Sequence, residues 1–358
     1  MISKERIVVA MSGGVDSSVA AALLVEGGYD VVGMTMRLID EGECSGSSPR
    51  CCSPKDMKDA RMVASQIGIA SYVIDLRKEF KKICDYFYSS YLHGETPNPC
   101  IYCNSELKFG MLLKKAIEIG AAKIATGHYA RIGYSQSDGR YRLKRAVDAT
   151  KDQAYFLFNL RQEQLSRIIF PLGGMTKREV RKKAQAWKLK VAEKTESQDI
   201  CFSSQGDYRS LYEAKGEEKD GDIIDSSGKV LGKHGGIHNF TIGQRRGIGI
   251  ARGVPLYVLH LDPARNRVVV GEEKELLRDT MNIGSANWMA WVRPPEEFRA
   301  LVKIRSTHAG EHGTIRASSE ATLRVHFDRP VKGVAAGQAA VFYDGDDILG
   351  GGWIKELS

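Results

Sequence analysis

The stretch that most constrains the fold is VVAMSGGVDSSVAAALL, residues 8–24. Its first half is an apolar run that predicts a buried strand, and its second half has the apolar spacing of a helix. Ser12, Gly13 and Gly14 stand between the two. A strand that passes through glycines directly into a helix is a typical unit of a parallel α/β sheet. We therefore expect the chain to begin with such a sheet.

The rest of the chain predicts three domains. Strand and helix signals alternate through the first ~130 residues, which is typical of a parallel sheet with crossover helices. The sequence becomes rich in glycine from about residue 205, and short segments with the alternating pattern of strands follow from about residue 273. These late strands are typical of a small antiparallel barrel or sandwich, of which we expect the barrel. The predicted domains are an α/β catalytic domain, a small central domain and a C-terminal antiparallel β-barrel, at 1–205, 206–272 and 273–358.

Composition narrows the class of protein. The 358 residues are 42% hydrophobic and 27% charged, which is typical of a globular chain. No apolar run approaches the ~20 residues that a membrane helix needs, and the first residues lack the apolar core of a secretory signal. We therefore expect a cytoplasmic protein with no membrane partner. The net charge of +8 suits a polyanionic partner without proving one.

The glycine turn has the chemistry of a phosphate site. Glycines let several backbone N–H groups point into one concavity, and the start of a helix adds further donors and a positive dipole end. Ser12 and Ser17 supply hydroxyl groups. The turn lacks the Gly-Lys-Ser/Thr end of a Walker A loop and is not a G-x-G-x-x-G fingerprint. Asp16 is out of place beside phosphates unless a cation is also present, and Mg²⁺ is the usual one.

The cysteines are a second source of chemistry. An odd number of seven makes a disulfide framework improbable in a reducing compartment and favours reactive or metal-bound thiols. Cys100 and Cys103 lie in TPNPCIYCN, residues 96–104, which we read as a loop, and Cys201 lies in ESQDICF. A C-x-x-C pair alone is also half of a zinc site. Cys84 fits a packing role, and we assign no role to Cys44, Cys51 and Cys52.

Several motifs resemble known families. SGGVDSS after a strand resembles the pyrophosphate-binding loop of the PP-loop ATP pyrophosphatase superfamily. The ordered set TPNPCIYCN, ATGHYAR, KDQAYFL, ICF, TIGQRRGIGI and LGGGWI is similar to the bacterial tRNA-specific 2-thiouridylase (MnmA) family and spans nearly the whole chain. The resemblance implies an ATP-dependent tRNA-uridine 2-sulfurtransferase that modifies the wobble uridine, position 34.

The reaction that the resemblance implies has two stages. ATP adenylates the O2 of the uracil with release of pyrophosphate, and sulfur from a cysteine persulfide then displaces AMP. By position, Cys201 would carry the persulfide, which an upstream donor protein supplies. Cys103 would be its paired nucleophile, able to form a disulfide with Cys201. Asp16 would belong to the catalytic loop.

One position departs from the family pattern and leaves an alternative open. Many family members have an aspartate where this chain has Cys100, so a general-base carboxylate is in doubt there. Cys100, Cys103 and Cys201 could instead hold a four-iron, four-sulfur cluster whose fourth iron binds a labile sulfide. Two rival functions also stand: an ATP-dependent amidotransferase, for which we find no glutaminase segment, and an RNA-binding protein without catalysis.

The resemblance also implies two sets of binding residues. ATP would contact the loop and two strand ends, at Ala10, Met11, Ser12, Gly13, Gly14, Val15, Asp16, Ser17, Met36 and Gly127. The anticodon stem-loop of tRNA would contact residues near the cysteine pair, the KDQ motif and the C-terminal domain, at Asn98, Pro99, Cys100, His128, Lys151, Asp152, Gln153, Arg305, Ser306 and Gln338.

Overall fold

The structure is a computed structural model, which describes residues 4–39, 54–195, 219–319 and 322–355. The described residues fall into two compact units. The first unit comprises the described parts of Met1–Ile83, Cys100–Gly206 and Gly345–Ile348, and the second those of Cys84–Pro99, Asp207–Asp344 and Leu349–Ser358. The predicted boundaries at 205/206 and 272/273 stay a prediction.

The first unit is built on a five-stranded parallel sheet. Its strands are β1 (Arg6–Ala10), β2 (Asp30–Arg37), β3 (Ala70–Asp75), β4 (Lys123–Ala125) and, after an antiparallel hairpin of β5 (Ala130–Ser135) and β6 (Arg140–Arg145), β7 (Ile168–Ile169). The order across the sheet is β3-β2-β1-β4-β7. The predicted parallel α/β domain is confirmed, although the sequence analysis missed the β5–β6 hairpin and the two-residue strand β7.

Within the described residues, this part of the chain contains seven α-helices. Their bounds are α1 (Val15–Glu26), α2 (Pro54–Gln66), α3 (Arg77–Leu92), α4 (Pro99–Tyr102), α5 (Leu112–Glu118), α6 (Gln162–Leu165) and α7 (Lys177–Ala186). The side chains of β1 and of the buried face of α1, such as Val9, Val19 and Ala20, are fully buried and form the centre of the core. Thr176 and Glu179 have the Thr-x-x-Glu spacing that predicts a capping box at a helix start. The hydroxyl of Thr176 accepts from the backbone N–H of Glu179, so this prediction is confirmed at the start of α7.

The reading of the cysteine segment as a loop is wrong. Pro99 is the first residue of α4, and α4 continues through a π-helical segment, Cys103–Met111, into α5. Proline suits the first turn of a helix because no backbone donor is needed there, so the Asn-Pro that suggested a loop is a helix start. Cys100 and Cys103 therefore lie one turn apart on a helix.

The second unit contains two smaller sheets. One has the order β10-β11-β8-β9, with β8 (Gly221–Asp225), β9 (Val230–His234), β10 (Tyr257–Asp262) and β11 (Arg267–Gly271). The other is antiparallel, with β12 (Leu277–Trp288), β13 (Glu297–Lys303), β14 (Glu311–Ser319), β15 (Thr322–Lys332), β16 (Ala339–Asp344) and β17 (Asp347–Ile354). It closes because β12 pairs with both β15 and β17. The predicted C-terminal antiparallel β-barrel is confirmed.

Each of these sheets has its own hydrophobic core. Val258, Val268 and Val270 are fully buried in the smaller sheet, and Val302, Ile315 and Phe342 are fully buried in the barrel. Within the ranges that the structure describes, none of the helices is both long enough and apolar enough for a membrane crossing.

Candidate active site

The glycine turn lies at the switch point of the parallel sheet. Strand β1 pairs with β2 on one side and with β4 on the other, so the strand order reverses next to β1. Ligands of open α/β sheets bind at the carboxyl ends of the strands at such a point. The loop from Met11 to Gly14 leaves β1 at that end and leads into α1.

Hydrogen bonds within the loop fix its shape. The hydroxyl of Ser17 accepts from the backbone N–H of Ser12 at 3.1 Å and lies 3.2 Å from the Ser12 hydroxyl. The hydroxyls of Ser17 and Ser18 both donate to the carbonyl of Gly14. Ser17 and Ser18 are buried and Ser12 is exposed. Ser12 is therefore the serine of the loop that a ligand can reach.

Gly13 is required by the packing of the loop. Its φ is +72°, and a Cβ added there would lie 2.2 Å from the carbonyl oxygen of Asp56 in α2. Any other residue at this position would therefore have a strained backbone, and its side chain would collide with the backbone of α2. The loop is pressed directly against the first turn of α2.

Gly127 brings the end of β4 against the same loop. A Cβ at Gly127 would lie 2.6 Å from the backbone nitrogen of Ser17 and 2.7 Å from the carbonyl carbon of Asp16. This close approach needs glycine for space. The structure therefore brings Gly127 together with the loop residues that the resemblance assigns to ATP.

Asp16 is held by a lysine and a tyrosine. Lys177 Nζ donates to both carboxylate oxygens, at 2.7 and 2.8 Å, and the Tyr129 hydroxyl donates to Oδ1 at 2.8 Å. The Lys177 side chain is only 11% exposed and that of Asp16 is 31% exposed. The cation that the sequence requires beside Asp16 is thus present, and in this structure it is a lysine.

Sequence reasoning missed both Lys177 and Tyr129. Lys177 is the first residue of α7, and its backbone N–H donates to Asp148 Oδ2 at 2.9 Å. The capping box of α7 located that helix start, but nothing in the sequence showed that it would face residue 16, which is 161 positions away. Tyr129 lies within the ATGHYAR motif, in which the resemblance implies roles for Gly127 and His128 only.

The arrangement around Asp16 does not fit a magnesium ligand set. Mg²⁺ is bound by oxygen atoms and usually keeps several waters. The oxygens of Asp16 already accept three hydrogen bonds, and an ammonium group adjoins them. Among the residues that the structure describes, no group of three or more His, Cys, Asp or Glu side chains is placed to hold a metal ion.

The KDQ motif connects Tyr129 to the cysteine helix. The Gln153 side-chain oxygen accepts from the Tyr129 N–H at 2.9 Å, and the Gln153 N–H donates to the Tyr129 carbonyl at 2.9 Å. Asp152 Oδ1 accepts from the N–H groups of Ala146 and Ala154. Lys151, Asp152 and Gln153 are all half-buried. The Asp152 and Gln153 side chains therefore brace the motif.

The cysteine helix is tied to the turn that follows KDQ. Asn104, next to Cys103, donates from Nδ2 to the Phe156 carbonyl at 3.1 Å. Gln164 Nε2 donates to the carbonyls of Ser105 and Phe109, within the π-helical segment. Cys103 is buried and Cys100 is half-buried. Cys201, together with Cys44, Cys51 and Cys52, lies outside the described residues.

His128 lies between the loop and the aromatic core. Its Nδ1 is 2.7 Å from the hydroxyl of Thr126, and its ring is 5.9 Å from the rings of both Phe109 and Phe170. Burial, and to a lesser degree the charge of Lys108, hold the pKa of His128 well below its ordinary value of 6.5. The ring is therefore neutral near pH 7.

The remaining residues assigned to ATP differ in how far they are exposed. Met11 and Met36 are buried, with exposed fractions of 2% and 7%. Ala10 and Gly14 are half-buried, whereas Val15 is buried. Met11, Met36 and Val15 therefore expose little surface to a ligand.

The second unit groups most of the other residues assigned to tRNA. The Thr96 N–H donates to the Ala336 carbonyl at 2.7 Å, which places the segment before Asn98 and Pro99 beside the segment before Gln338. The guanidinium of Arg305 lies beside Gly333, 3.1 Å from where a Cβ would be. Arg305 is exposed, whereas Asn98, Ser306 and Gln338 are half-buried and Pro99 is buried.

Comparisons with known proteins match the whole chain. Residues 5–205, 211–272 and 278–354 match three family models, described as tRNA methyl transferase HUP domain, tRNA methyl transferase PRC-barrel domain and aminomethyltransferase β-barrel domain. A solved complex of a 4-thiouridine synthetase with RNA and bound ATP is 17% identical, with a TM-score of 0.37, over 60% of this chain and 50% of that one. So low a likeness supports no inference about activity.

Two relatives are much closer to this chain. The tRNA-specific 2-thiouridylase MnmA of Acidobacterium capsulatum is 47% identical over 97% of this chain and 98% of its own length. That of Geotalea uraniireducens is 49% identical over 98% of this chain and 95% of its own length. With matches of this identity and coverage, the chain belongs to the tRNA-specific 2-thiouridylase (MnmA) family.

Proposed function

We propose that this protein is an ATP-dependent tRNA-uridine 2-sulfurtransferase that thiolates the wobble uridine, position 34. The observation that carries the proposal is one continuous set of contacts in the first unit. Asp16 of the phosphate loop binds Tyr129, Tyr129 binds Gln153, and the turn after Gln153 binds Asn104 beside Cys103. The nucleotide site that we propose and a buried thiol would therefore share one framework.

The first step is adenylation of the uracil. The O2 of the base attacks the α-phosphorus of ATP, the bond from that phosphorus to the bridging oxygen breaks, and pyrophosphate leaves. Backbone N–H groups of the loop and the start of α1 would bind the phosphates. Lys177 would neutralise Asp16, so that this carboxylate does not repel the phosphates. Mg²⁺ would arrive with ATP, and we assign it no protein ligand.

The second step transfers sulfur. The terminal sulfur of a Cys201 persulfide attacks C2 of the base, and AMP leaves with the former O2. The Cys103 thiolate then attacks the sulfur of Cys201, which forms a Cys103–Cys201 disulfide and releases the thiolated base. A thiol reductant must open this disulfide, and an upstream protein must recharge Cys201, before the next turnover.

We assign one set of tRNA-binding residues to each of the two units. In the first unit, Cys100, His128 and Lys151 would lie towards the target base. In the second, Asn98, Arg305 and Gln338 would contact the anticodon stem-loop. An anticodon loop is single-stranded, so extruding its base requires less unstacking than in a duplex. Because ATP and tRNA are needed, we expect the protein to act in the cytoplasm.

Methyl transfer, which the descriptions of two matching models name, has less support. The two close relatives are named tRNA-specific 2-thiouridylases, and this chain matches them over nearly their whole length. The loop at the end of β1 combines serines, glycines and a paired aspartate, which suits polyphosphate. A buried cysteine on the adjoining framework suits sulfur chemistry.

The proposal is tested by reconstitution. The full-length protein receives unmodified transcript tRNA, ATP, Mg²⁺ and a persulfide donor, and the digested RNA is analysed by mass spectrometry. We expect 2-thiouridine at position 34 with AMP and pyrophosphate in equal amounts. Formation of ADP, or AMP release without modified RNA, would contradict the proposal. Cys103→Ser should still release pyrophosphate but yield no 2-thiouridine.

The iron–sulfur alternative calls for a different measurement. Cys100, Cys103 and Cys201 would be its ligands, and the chemistry that it would supply is a labile sulfide on the fourth iron. Protein purified without oxygen is assayed for iron, sulfide and visible absorption. Colourless protein that is active with a persulfide donor supports the persulfide route. Stoichiometric iron with activity that Cys100→Ser abolishes would support the cluster.

A further inference from the structure

A second lysine, Lys194, contacts the phosphate loop at the backbone carbonyl of Gly13. Lys194 Nζ donates to the Gly13 carbonyl at 3.0 Å and binds Asp56 Oδ1 at 2.7 Å and Asp59 Oδ2 at 2.5 Å. The side chain of Lys194 is 20% exposed, and those of Asp56 and Asp59 are 9% and 13% exposed. Nothing in the proposed reaction uses these three charges.

The two carboxylates hold the lysine in its charged form. Burial by itself would lower the pKa of Lys194, but the hydrogen bonds to Asp56 and Asp59 outweigh it, and the pKa lies above its ordinary value of 10.5. Both carboxylates belong to α2, three positions apart on one face of the helix. Helix α2 also blocks the Cβ position of Gly13 with the carbonyl of Asp56.

The bond to the Gly13 carbonyl has a consequence for the ligand. In a trans peptide the C=O and the following N–H point in opposite directions. When Lys194 holds the Gly13 carbonyl, the Gly14 N–H is turned away from the lysine. Gly14 is also the residue that precedes α1, where donors for a phosphate are expected.

We propose that Lys194 is a positioning residue which, through the Gly13 carbonyl, aims the Gly14 N–H at the pyrophosphate part of ATP. The inference rests on the ATP site of the proposed function but not on sulfur transfer. Asp56 and Asp59 keep the ammonium group in place. Because Lys194 contacts the loop at the Gly13 carbonyl, it acts on phosphate affinity and leaves the adenosine contacts unchanged.

The test compares two ligands by calorimetry on the full-length protein. Lys194→Met removes the donor at nearly constant length. We expect its affinity for pyrophosphate to fall about tenfold, the effect of losing a hydrogen bond from a charged donor, while its affinity for adenosine changes less than about twofold. Lys115→Met, which breaks an exposed ion pair with Glu118 on α5, is the control and should change neither affinity.

A second variant separates weaker binding from a loss of folding. Lys194→Met removes the ammonium group that Asp56 and Asp59 share, so Asp59→Asn is added to relieve the repulsion between the two carboxylates. The double variant still lacks a lysine on Gly13 and should keep the weak pyrophosphate binding. Unchanged pyrophosphate affinity in a folded variant, or an equal loss for adenosine and pyrophosphate, would overturn the proposal. Neither binding assay depends on thiolation, so the proposed reaction can fail while this inference stands.

Discussion

Replacement of Lys177 by methionine tests the electrostatic arrangement of the loop most directly. In the structure, Lys177 neutralises Asp16 through contacts of 2.7 and 2.8 Å. Methionine keeps the length of the side chain but removes the charge. Asp16 then faces an incoming polyphosphate as an uncompensated carboxylate, held only by the Tyr129 hydroxyl among the contacts described here.

The size of the effect follows from the burial of the pair. Two unit charges 4 Å apart interact by about 4 kcal/mol at an effective dielectric constant near 20. The Asp16 side chain is 31% exposed, so solvent screens part of that repulsion. We expect a net penalty of about 1.5–3 kcal/mol on ATP binding, or ~10–150-fold in Kd.

The assay is calorimetric titration of ATP into Lys177→Met, Asp16→Asn and the double variant. If neutralising Asp16 is the main role of Lys177, the double variant recovers most of the lost affinity because no carboxylate remains to repel phosphate. A double variant that binds ATP as weakly as Lys177→Met would refute this reasoning. It would show that Lys177 acts chiefly by contacting the phosphates itself.

Four further predictions concern the loop, the sulfur carrier, the RNA and a histidine. Gly13→Ala should lower the melting temperature and weaken ATP binding, because the added Cβ collides with the backbone of α2. Gly28 has a similar φ but no atom within 4 Å of a Cβ, so Gly28→Ala should lower the free energy of unfolding by only ~1 kcal/mol, the cost of backbone strain. Cys201→Ser should abolish 2-thiouridine formation but keep pyrophosphate release, and normal thiolation by this variant would disprove its role. Affinity for tRNA should fall at least about tenfold between 50 and 200 mM salt, measured by filter binding; salt-independent binding would remove the electrostatic argument. The lowered pKa of His128 means that the unfolded chain binds a proton at this side chain more readily than the folded chain, so the free energy of unfolding falls as pH drops below 6.5. His128→Gln should reduce the slope of that free energy against pH, measured by denaturant titrations, by up to about 1.4 kcal/mol per pH unit, and a slope equal to that of the unsubstituted protein would contradict this.

The parts of the fold that the sequence predicts are those governed by local patterns. Strand β1 and helix α1 are apolar segments on either side of the glycine turn, and the Thr-x-x-Glu pattern at Thr176 marks a helix start correctly. The cysteine helix was misread because Asn-Pro-Cys is equally typical of a loop and of the first turn of a helix. The local sequence cannot distinguish a loop from a helix here, because the helix continues as a π-helical segment that is stabilised by a distant residue. Gln164 donates to carbonyls of that segment that are 55 and 59 positions away in the sequence.

The candidate site shows the same division between local and distant information. Gly13 and Asp16 can be found from sequence because they belong to one short motif. Lys177, Tyr129 and Lys194 cannot, because each is an ordinary residue type that acquires its role only through contacts made across the fold. The lysines contact opposite ends of the same turn, Gly13 and Asp16, and each is paired with carboxylate. The protein therefore uses the two lysines to neutralise Asp16 and to hold the Gly13 carbonyl, and the groups that this turn without a Walker lysine offers to a phosphate are its backbone donors.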